Sequence, residues 1–171
     1  ASGNDNIAMV STRAAASYPV RMLEPEFYRE LPVFQLPGGE YRNGLFRAFE
    51  VQGDSMSDTL YAGDIVISRY LDRNFLDVRD GYIHIVVTND EVLVKRVLNR
   101  SKQGKLILKS DNESYGNIVM PIEQVKEMWL VKSKISLYLP NRNAEIGKVV
   151  NDLQARLAIL EEEFYGNGGK K

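Results

Sequence analysis

Six short segments rich in valine and isoleucine follow one another between residues 45 and 136, and they constrain the fold more than any other feature of the chain. Turn-forming sequences such as Ala62-Gly63-Asp64 separate them. This pattern predicts strands, and the intervals are too short for crossover helices. The predicted strands are residues 45–51, 64–68, 81–88, 92–98, 106–110 and 128–135. We therefore expect a mostly β domain of short antiparallel strands over residues 45–138.

The segments on either side of this domain follow different patterns. Residues 1–44 contain four prolines between Pro19 and Pro37, which argue against long regular elements, so we expect an irregular N-terminal arm. Residues 141–165 carry apolar side chains at alternating steps of four and three, which predicts an amphipathic helix with a heptad seam. The seam consists of Ile146, Val150, Leu153, Leu157, Leu160 and Phe164.

Both ends of the predicted helix carry residues that favour helix termini. Asn143 is the expected N-cap, Glu145 lies in the first turn, and Gly166 is the expected end. A seam of under three heptads is marginal on its own in water. The helix therefore packs either on a second copy of the chain or on its own β domain.

Composition excludes several classes of function. The chain has no cysteine and a single histidine, so it can form no disulfide framework and has almost no ligands for zinc, and we expect no metal or cofactor. The formal net charge of −1 creates no general attraction to nucleic acid or to anionic membranes. No apolar run approaches the roughly 18 residues of a membrane-spanning helix. We expect a cytoplasmic protein that contacts neither DNA nor a membrane through these residues.

The Gly53-Asp54-Ser55-Met56 sequence predicts a tight turn that can present a serine nucleophile. Glycine before short polar residues suits a turn out of a strand, where the backbone N–H groups of Ser55 and Met56 can hold an oxyanion. A serine hydroxyl needs a base to take its proton. Ordinary turns have the same composition, so these residues alone leave a simple loop as an alternative.

Lys95 is the candidate base. It alternates with Leu93 and Val97 in a predicted strand, which places it on an apolar face. A free lysine has a pKa of about 10.4, and burial beside apolar side chains favours the neutral amine that accepts a proton. The alternative interpretation is an edge strand on which Lys95 and Arg96 discourage pairing with other chains.

The other polar candidates fit structural roles. His84 lies in a predicted strand and has no evident acidic partner, which indicates a structural side chain. Asp54 and Asp64 occur in turn sequences, so we interpret them as turn and cap residues and not as paired catalytic carboxylates.

Four blocks of sequence together resemble the LexA and UmuD family of self-cleaving serine peptidases. They are residues 51–56 (VQGDSM), 63–66 (GDIV), 94–97 (VKRV) and 108–115 (LKSDNESY), and their order and spacing match the family. The resemblance implies a LexA-like peptidase β fold. It also implies a Ser/Lys dyad in which Ser55 is the nucleophile and Lys95 the base, with the backbone N–H groups of Ser55 and Met56 as the oxyanion hole.

The resemblance further implies a cleavable bond in the N-terminal arm. Members of the family usually cut an Ala-Gly or Cys-Gly bond there, and the corresponding bond in this chain is Ala16–Ser17. Serine thus replaces the glycine that eases the bend into the active site, and self-cleavage is expected to be slow or lost.

Repressors of this family join a helix-turn-helix DNA-binding domain to the peptidase domain, and a RecA filament stimulates cleavage in the SOS response. No helix-turn-helix sequence occurs here, and the Ala1-Ser2-Gly3 start is typical of a fragment boundary. We therefore expect the C-terminal self-cleavage and dimerisation half of a phage-type repressor, which forms homodimers and reaches DNA only through the other half. The alternatives are a stand-alone UmuD-like protein, a non-cleaving dimerisation module, and a processing protease similar to signal peptidases.

Overall fold

A computed structural model describes residues 6–72, 75, 77–139 and 142–166 of the 171-residue chain. The chain divides into two compact units, Ala1–Leu137 and Tyr138–Lys171, and each is described by itself. Within the described ranges, no helix combines the length and the apolar character needed to cross a membrane.

The first unit is built on one sheet, in which nine strands are counted among the described residues. They are β1 (Ile7–Val10), β2 (Val33–Phe34), β3 (Phe46–Glu50), β4 (Ile65–Leu71), β5 (Ile83–Val87), β6 (Val92–Arg100), β7 (Lys105–Lys109), β8 (Ile118–Pro121) and β9 (Glu127–Ile135). Their order across the sheet is β2-β1-β3-β4-β9-β5-β6-β7-β8. In this described part of the sheet, every pair is antiparallel except β1 with β3. The prediction of a mostly β fold with antiparallel strands is confirmed.

The N-terminal arm is composed of short elements. Besides β1 and β2 it contains the helices α1 (Thr12–Ala15), α2 (Tyr18–Arg21) and α3 (Pro25–Glu30), and a 3-10 turn at Gly39–Tyr41. Two prolines that argue against long elements instead begin short helices, because Pro19 and Pro25 lie in the first turns of α2 and α3, where no N–H is needed. Strands β1 and β2, like β8 later in the chain, were not predicted from the sequence. Two further 3-10 turns, Ser101–Gln103 and Ile122–Gln124, lie between later strands.

Apolar side chains cover both faces of the sheet. Trp129 of β9 belongs to a cluster with Phe49, Tyr18 and Phe27, which includes side chains from the arm. Its neighbour Leu130 belongs to a second cluster formed largely by β5 to β9. Since successive residues of a strand point to opposite faces, the two clusters lie on opposite sides of the sheet. Side chains of the arm contribute to both faces, because Tyr18 and Phe27 pack in the first cluster whereas Ile7 packs with Phe46 and Ile67 in a third cluster on the other face.

The second unit contains helix α4 (Arg142–Gly166). Because the helix already includes Arg142, Asn143 lies inside its first turn, and the residue before Arg142 is outside the described residues. The helix extends to Gly166, the last of the described residues, so the predicted end at this glycine stays a prediction. The seam side chains from Ile146 to Phe164 are exposed.

Candidate active site

Ser55 lies at the start of a tight turn that follows β3. Gly53 has a φ of +73°, in the left-handed region that favours glycine, and it directs the chain away from the strand. The turn is closed by a hydrogen bond of 2.8 Å from the Leu60 N–H to the Met56 carbonyl oxygen. The Met56 side chain is buried in the core cluster beside Tyr18. The turn is therefore held in place on the core, and it fixes the position of Ser55.

Lys95 extends from the middle of β6 toward this turn. Its Nζ lies 2.5 Å from the Ser55 Oγ, and the residue is only 6% exposed. Strand β6 is paired with β5 on one side and β7 on the other. The alternative interpretation of an edge strand is therefore wrong, and the sheet itself holds the amine against the hydroxyl.

The surroundings of Lys95 favour a neutral amine. Burial lowers the pKa of Lys95 below its usual value, while the negative charges of Glu91 and Asp111 act in the opposite direction and do not cancel the effect. The residue opposite Lys95 on β5 is His84, whose ring is also buried. Lower proton affinity makes the neutral form of Lys95 more populated near neutral pH than for an exposed lysine.

The backbone around Ser55 has donors available. In the described residues, the N–H groups of Ser55 and Met56 donate to no protein acceptor, whereas the next donor of the turn, the Ser57 N–H, is bonded to the Asp54 carbonyl oxygen at 3.0 Å. Two adjacent N–H groups beside a nucleophile are the arrangement that stabilises a tetrahedral oxyanion.

A second loop holds the nucleophile turn in place. The Asn112 N–H donates to the Ser55 carbonyl oxygen at 3.1 Å, and the Asn112 side-chain amide donates to the Asp54 carbonyl oxygen at 3.2 Å. The Tyr115 hydroxyl donates to the Asp54 carboxylate at 2.5 Å, and its ring centroid lies 5.8 Å from the Lys95 Nζ. The last of the four sequence blocks is thus brought against the first.

This second loop is fixed in turn by an ion pair. Arg96 donates to both carboxylate oxygens of Asp111, at 2.6 and 2.9 Å, and to the Gly81 carbonyl oxygen at 2.9 Å. Burial alone would raise the pKa of Asp111, but hydrogen bonds from Arg96 and Thr59 outweigh it and lower that pKa. Arg96 follows Lys95 directly on β6, so one strand positions both the amine and the loop.

The N-terminal arm also contributes to the surroundings of Ser55 and Lys95. Ala15 lines a cavity of about 100 Å³ together with Ser55 and Lys95, and Val51 and Leu93 contribute apolar walls. Small apolar walls suit a small side chain such as alanine.

The predicted cleavage bond, Ala16–Ser17, lies between α1 and α2. Ala16 has helical backbone angles of −62° and −30°. The Ser17 N–H donates to the Ala14 carbonyl oxygen at 3.1 Å, and the Ser17 hydroxyl contacts the same oxygen at 3.3 Å. The bond therefore belongs to a helical turn and not to an extended segment.

Tyr18 anchors the arm immediately after this bond. Its side chain is fully buried, and its ring packs edge to face on Phe49 with centroids 5.7 Å apart. Its hydroxyl donates to the Glu127 carboxylate at 2.6 Å and accepts a hydrogen bond from Arg47. Burial, supported by the negative charge of Glu127, raises the pKa of Tyr18. This anchor could not be predicted from the sequence, because no local pattern relates Tyr18 to residues on β3 and β9.

Two further candidates are structural, as their sequence contexts indicate. The His84 Nδ1 lies 2.9 Å from the Tyr82 carbonyl oxygen, and burial lowers the pKa of His84 to about 4, so the ring is neutral. Asp64 is buried and accepts hydrogen bonds from the Ser136 hydroxyl at 2.5 Å and the Lys134 ammonium at 3.2 Å. Neither side chain bonds to Ser55.

Over the part of the chain that the structure describes, His, Asp and Glu residues form no cluster of three or more that could hold a metal ion.

A comparison with protein-family models finds one that matches residues 10–130, which is over two thirds of the chain and includes both Ser55 and Lys95. Its description is Peptidase S24-like. A comparison with curated proteins finds no match. The matched region contains all four sequence blocks and most of the sheet that brings Lys95 to Ser55. The chain therefore belongs to the Peptidase S24-like family of LexA/UmuD-type serine peptidases.

Proposed function

We propose that this protein is a self-cleaving serine peptidase in which Ser55 is the nucleophile and Lys95 the general base. The observation that carries the proposal is the distance of 2.5 Å between the Lys95 Nζ and the Ser55 Oγ in a site where the lysine is 6% exposed. A buried amine in hydrogen-bond contact with a hydroxyl is able to take its proton.

The reaction begins when neutral Lys95 takes the proton of the Ser55 hydroxyl and the Oγ adds to the Ala16 carbonyl carbon. The resulting oxyanion accepts hydrogen bonds from the N–H groups of Ser55 and Met56. Collapse of this intermediate breaks the bond to the Ser17 nitrogen, which receives the proton from Lys95. Water then hydrolyses the acyl ester and restores the Ser55 hydroxyl.

The arm has to change conformation before this attack. Its Ala15 already lines the cleft, which supports a cut at or next to Ala16–Ser17. The bond itself lies in a helical turn closed on the Ala14 carbonyl oxygen. We therefore infer that α1 opens by about one turn to bring the Ala16 carbonyl to Ser55.

The role we propose for the cut is a switch in a LexA-like or phage-type repressor, with a RecA filament as the candidate co-inducer. Family membership supports this role, because the resemblance relates the chain to proteins that relieve repression by self-cleavage. DNA binding then belongs to a separate helix-turn-helix domain.

Two other functions are alternatives to self-cleavage, and the cleavage assay described below distinguishes them. A non-cleaving dimerisation module is favoured by Ser17 and by the helical turn around it. A processing protease similar to signal peptidases would instead cut other chains, and family membership alone does not separate it from a self-cleaving enzyme.

The test is incubation of the protein at rising pH up to about 10, followed by mass spectrometry. We expect fragments that correspond to residues 1–16 and 17–171, and we expect Ser55→Ala and Lys95→Ala to remain intact. Ser57→Ala and Lys102→Ala are matched controls that should still cleave. A wild-type chain that stays whole at pH 10 excludes the self-cleavage proposal, and efficient cutting of an added unrelated peptide supports the processing protease.

We further propose that the protein forms homodimers through helix α4. The seam residues on this helix are between 43% and 83% exposed, and a lone helix gives them no apolar cover. Sedimentation of the full chain tests this proposal, because Leu153→Asp with Leu157→Asp should yield monomers while Arg156→Ala should not. A monomeric wild-type chain would exclude it.

A further inference from the structure

We propose that cutting the arm does not release its N-terminal piece, because strand β1 stays bound in the sheet as a non-covalent partner of the cut chain. The biological role of this retention rests on the proposed self-cleavage. The contacts that retain β1 do not depend on Ser55 or Lys95. Strand β1 (Ile7–Val10) lies on the N-terminal side of Ala16–Ser17, and it is an interior strand of the sheet.

Both edges of β1 are occupied. On one side it pairs in parallel with β3, with Met9 opposite Ala48 and Val10 opposite Phe49. On the other side it pairs antiparallel with β2, and the Met9 N–H donates to the Pro32 carbonyl oxygen at 2.8 Å. A strand with partners on both edges gives up backbone hydrogen bonds in both directions when it leaves.

Both faces of β1 are buried as well. Ile7 and Val10 are each 1% exposed. Ile7 packs in a cluster with Phe46 and Ile67, whereas Val10 packs in the cluster of Tyr18 and Phe49. Their separation of three residues places the two side chains on opposite faces of the strand.

The segment between β1 and the bond has a contact of its own. The Thr12 N–H donates to the Glu50 carboxylate at 2.9 Å, at the beginning of α1. On the other side of the bond, Tyr18 is anchored by Glu127 and Arg47. Ala16–Ser17 therefore connects two independently anchored segments, and hydrolysis removes only the connection.

The slot between β2 and β3 is thus an interaction surface whose occupant is the chain's own severed segment. Cleavage gives a two-piece complex, and dissociation of β1 is a separate second step. In a switch of this kind, the departure of β1 and not the chemical cut determines when the N-terminal side separates.

The test uses a cut that does not depend on Ser55. A recognition site for a specific protease is inserted between Ala16 and Ser17 in the full chain that carries Ser55→Ala. After digestion, the sample is analysed by size exclusion and by native and denaturing mass spectrometry. We expect the N-terminal peptide to co-elute with the remainder and to separate only in denaturant. Elution of the peptide on its own in native buffer would overturn the proposal.

Variants in β1 identify what retains the peptide. Val10→Ala removes two buried methyl groups and should release the peptide about 10-fold faster. Val10→Asp should release it roughly 100-fold faster or more. Arg13→Ala changes an exposed side chain of the same peptide and should not alter retention. If Val10→Asp does not fold, Val10→Ala still decides, since equal release from Val10→Ala and Arg13→Ala contradicts retention by β1. Because the inserted site is cut by an added protease, these results do not depend on self-cleavage. A failure of self-cleavage can therefore be distinguished from a failure of β1 to retain the peptide.

Discussion

The anchor at Tyr18 determines how readily the arm can open, and removal of its hydroxyl is expected to accelerate self-cleavage. Tyr18 directly follows the Ala16–Ser17 bond and is fully buried. Its hydroxyl is shared between Glu127 and Arg47. These contacts exist only while the arm is closed, and the closed arm keeps the bond in a helical turn. Tyr18→Phe therefore weakens the closed state without altering Ser55 or Lys95.

The size of the effect depends on how well Glu127 and Arg47 are still hydrogen-bonded after Tyr18→Phe removes the hydroxyl. A hydrogen bond to a charged group contributes about 1.5–3 kcal/mol. Glu127 retains the Trp129 indole N–H at 3.0 Å and the Arg47 guanidinium at 3.6 Å, so we take the lower end of this range. Since about 1.4 kcal/mol corresponds to a factor of 10, the open arm becomes about 10-fold more populated. If opening precedes the cut and is rapid, the rate of cleavage rises by the same factor.

The assay compares first-order cleavage rates of the wild type and Tyr18→Phe near pH 10, with the fragments quantified by mass spectrometry. Burial raises the pKa of Tyr18, so its hydroxyl stays protonated and the wild-type anchor is intact at this pH. Tyr82→Phe is the matched control, because Tyr82 is 53% exposed and directly precedes β5, outside the arm in the sequence. An unchanged or slower rate in a folded Tyr18→Phe variant refutes the requirement for arm opening.

Two further predictions concern the dyad and its supporting loop. Because burial lowers the pKa of Lys95, the cleavage rate should rise about 10-fold per pH unit and level off below the value of about 10.4 for a free lysine; a plateau at higher pH would contradict a desolvated base. Asn112→Ala removes the amide that holds the Asp54 carbonyl oxygen and should slow cleavage about 10-fold at every pH, without moving the midpoint of the profile. The same assay compares Asn112→Ala with Asn117→Ala, which changes an exposed side chain. Equal cleavage rates for the two variants would exclude a positioning role for Asn112.

The parts of the site that sequence predicts well are those determined by local chemistry. Gly53 has the positive φ that a turn out of a strand requires, and Lys95 alternates with Leu93 and Val97 in a strand, as the pattern predicts. That this strand is interior and not at an edge came from the structure. The contact between Ser55 and Lys95 is different, because nothing local connects residues 40 positions apart. Only the resemblance to a family related them before the structure placed β6 beside the turn.

The arm was the least predictable part of the fold, because its structure depends on distant partners. Strand β1 has four residues, too few for alternation to distinguish it from a loop, and it forms by insertion between β2 and β3. The bond from Tyr18 to Glu127 spans 109 positions and has no sequence signature. Non-local pairing of this kind carries its information in the core that receives the segment, not in the segment itself.

The presence of serine in place of glycine at position 17 affects only one step of the proposed cleavage. Ser17 has a φ of −105° and a ψ of −8°, values that any residue adopts, so the closed arm does not require glycine there. A preference for glycine can arise only in the bent conformation that reaches Ser55. Before that conformation is reached, the arm has to break the turn at Ala14 and withdraw from the anchor at Tyr18. The first barrier to cleavage therefore lies in the packing of the arm, and replacement of Ser17 by glycine acts only on the step that follows.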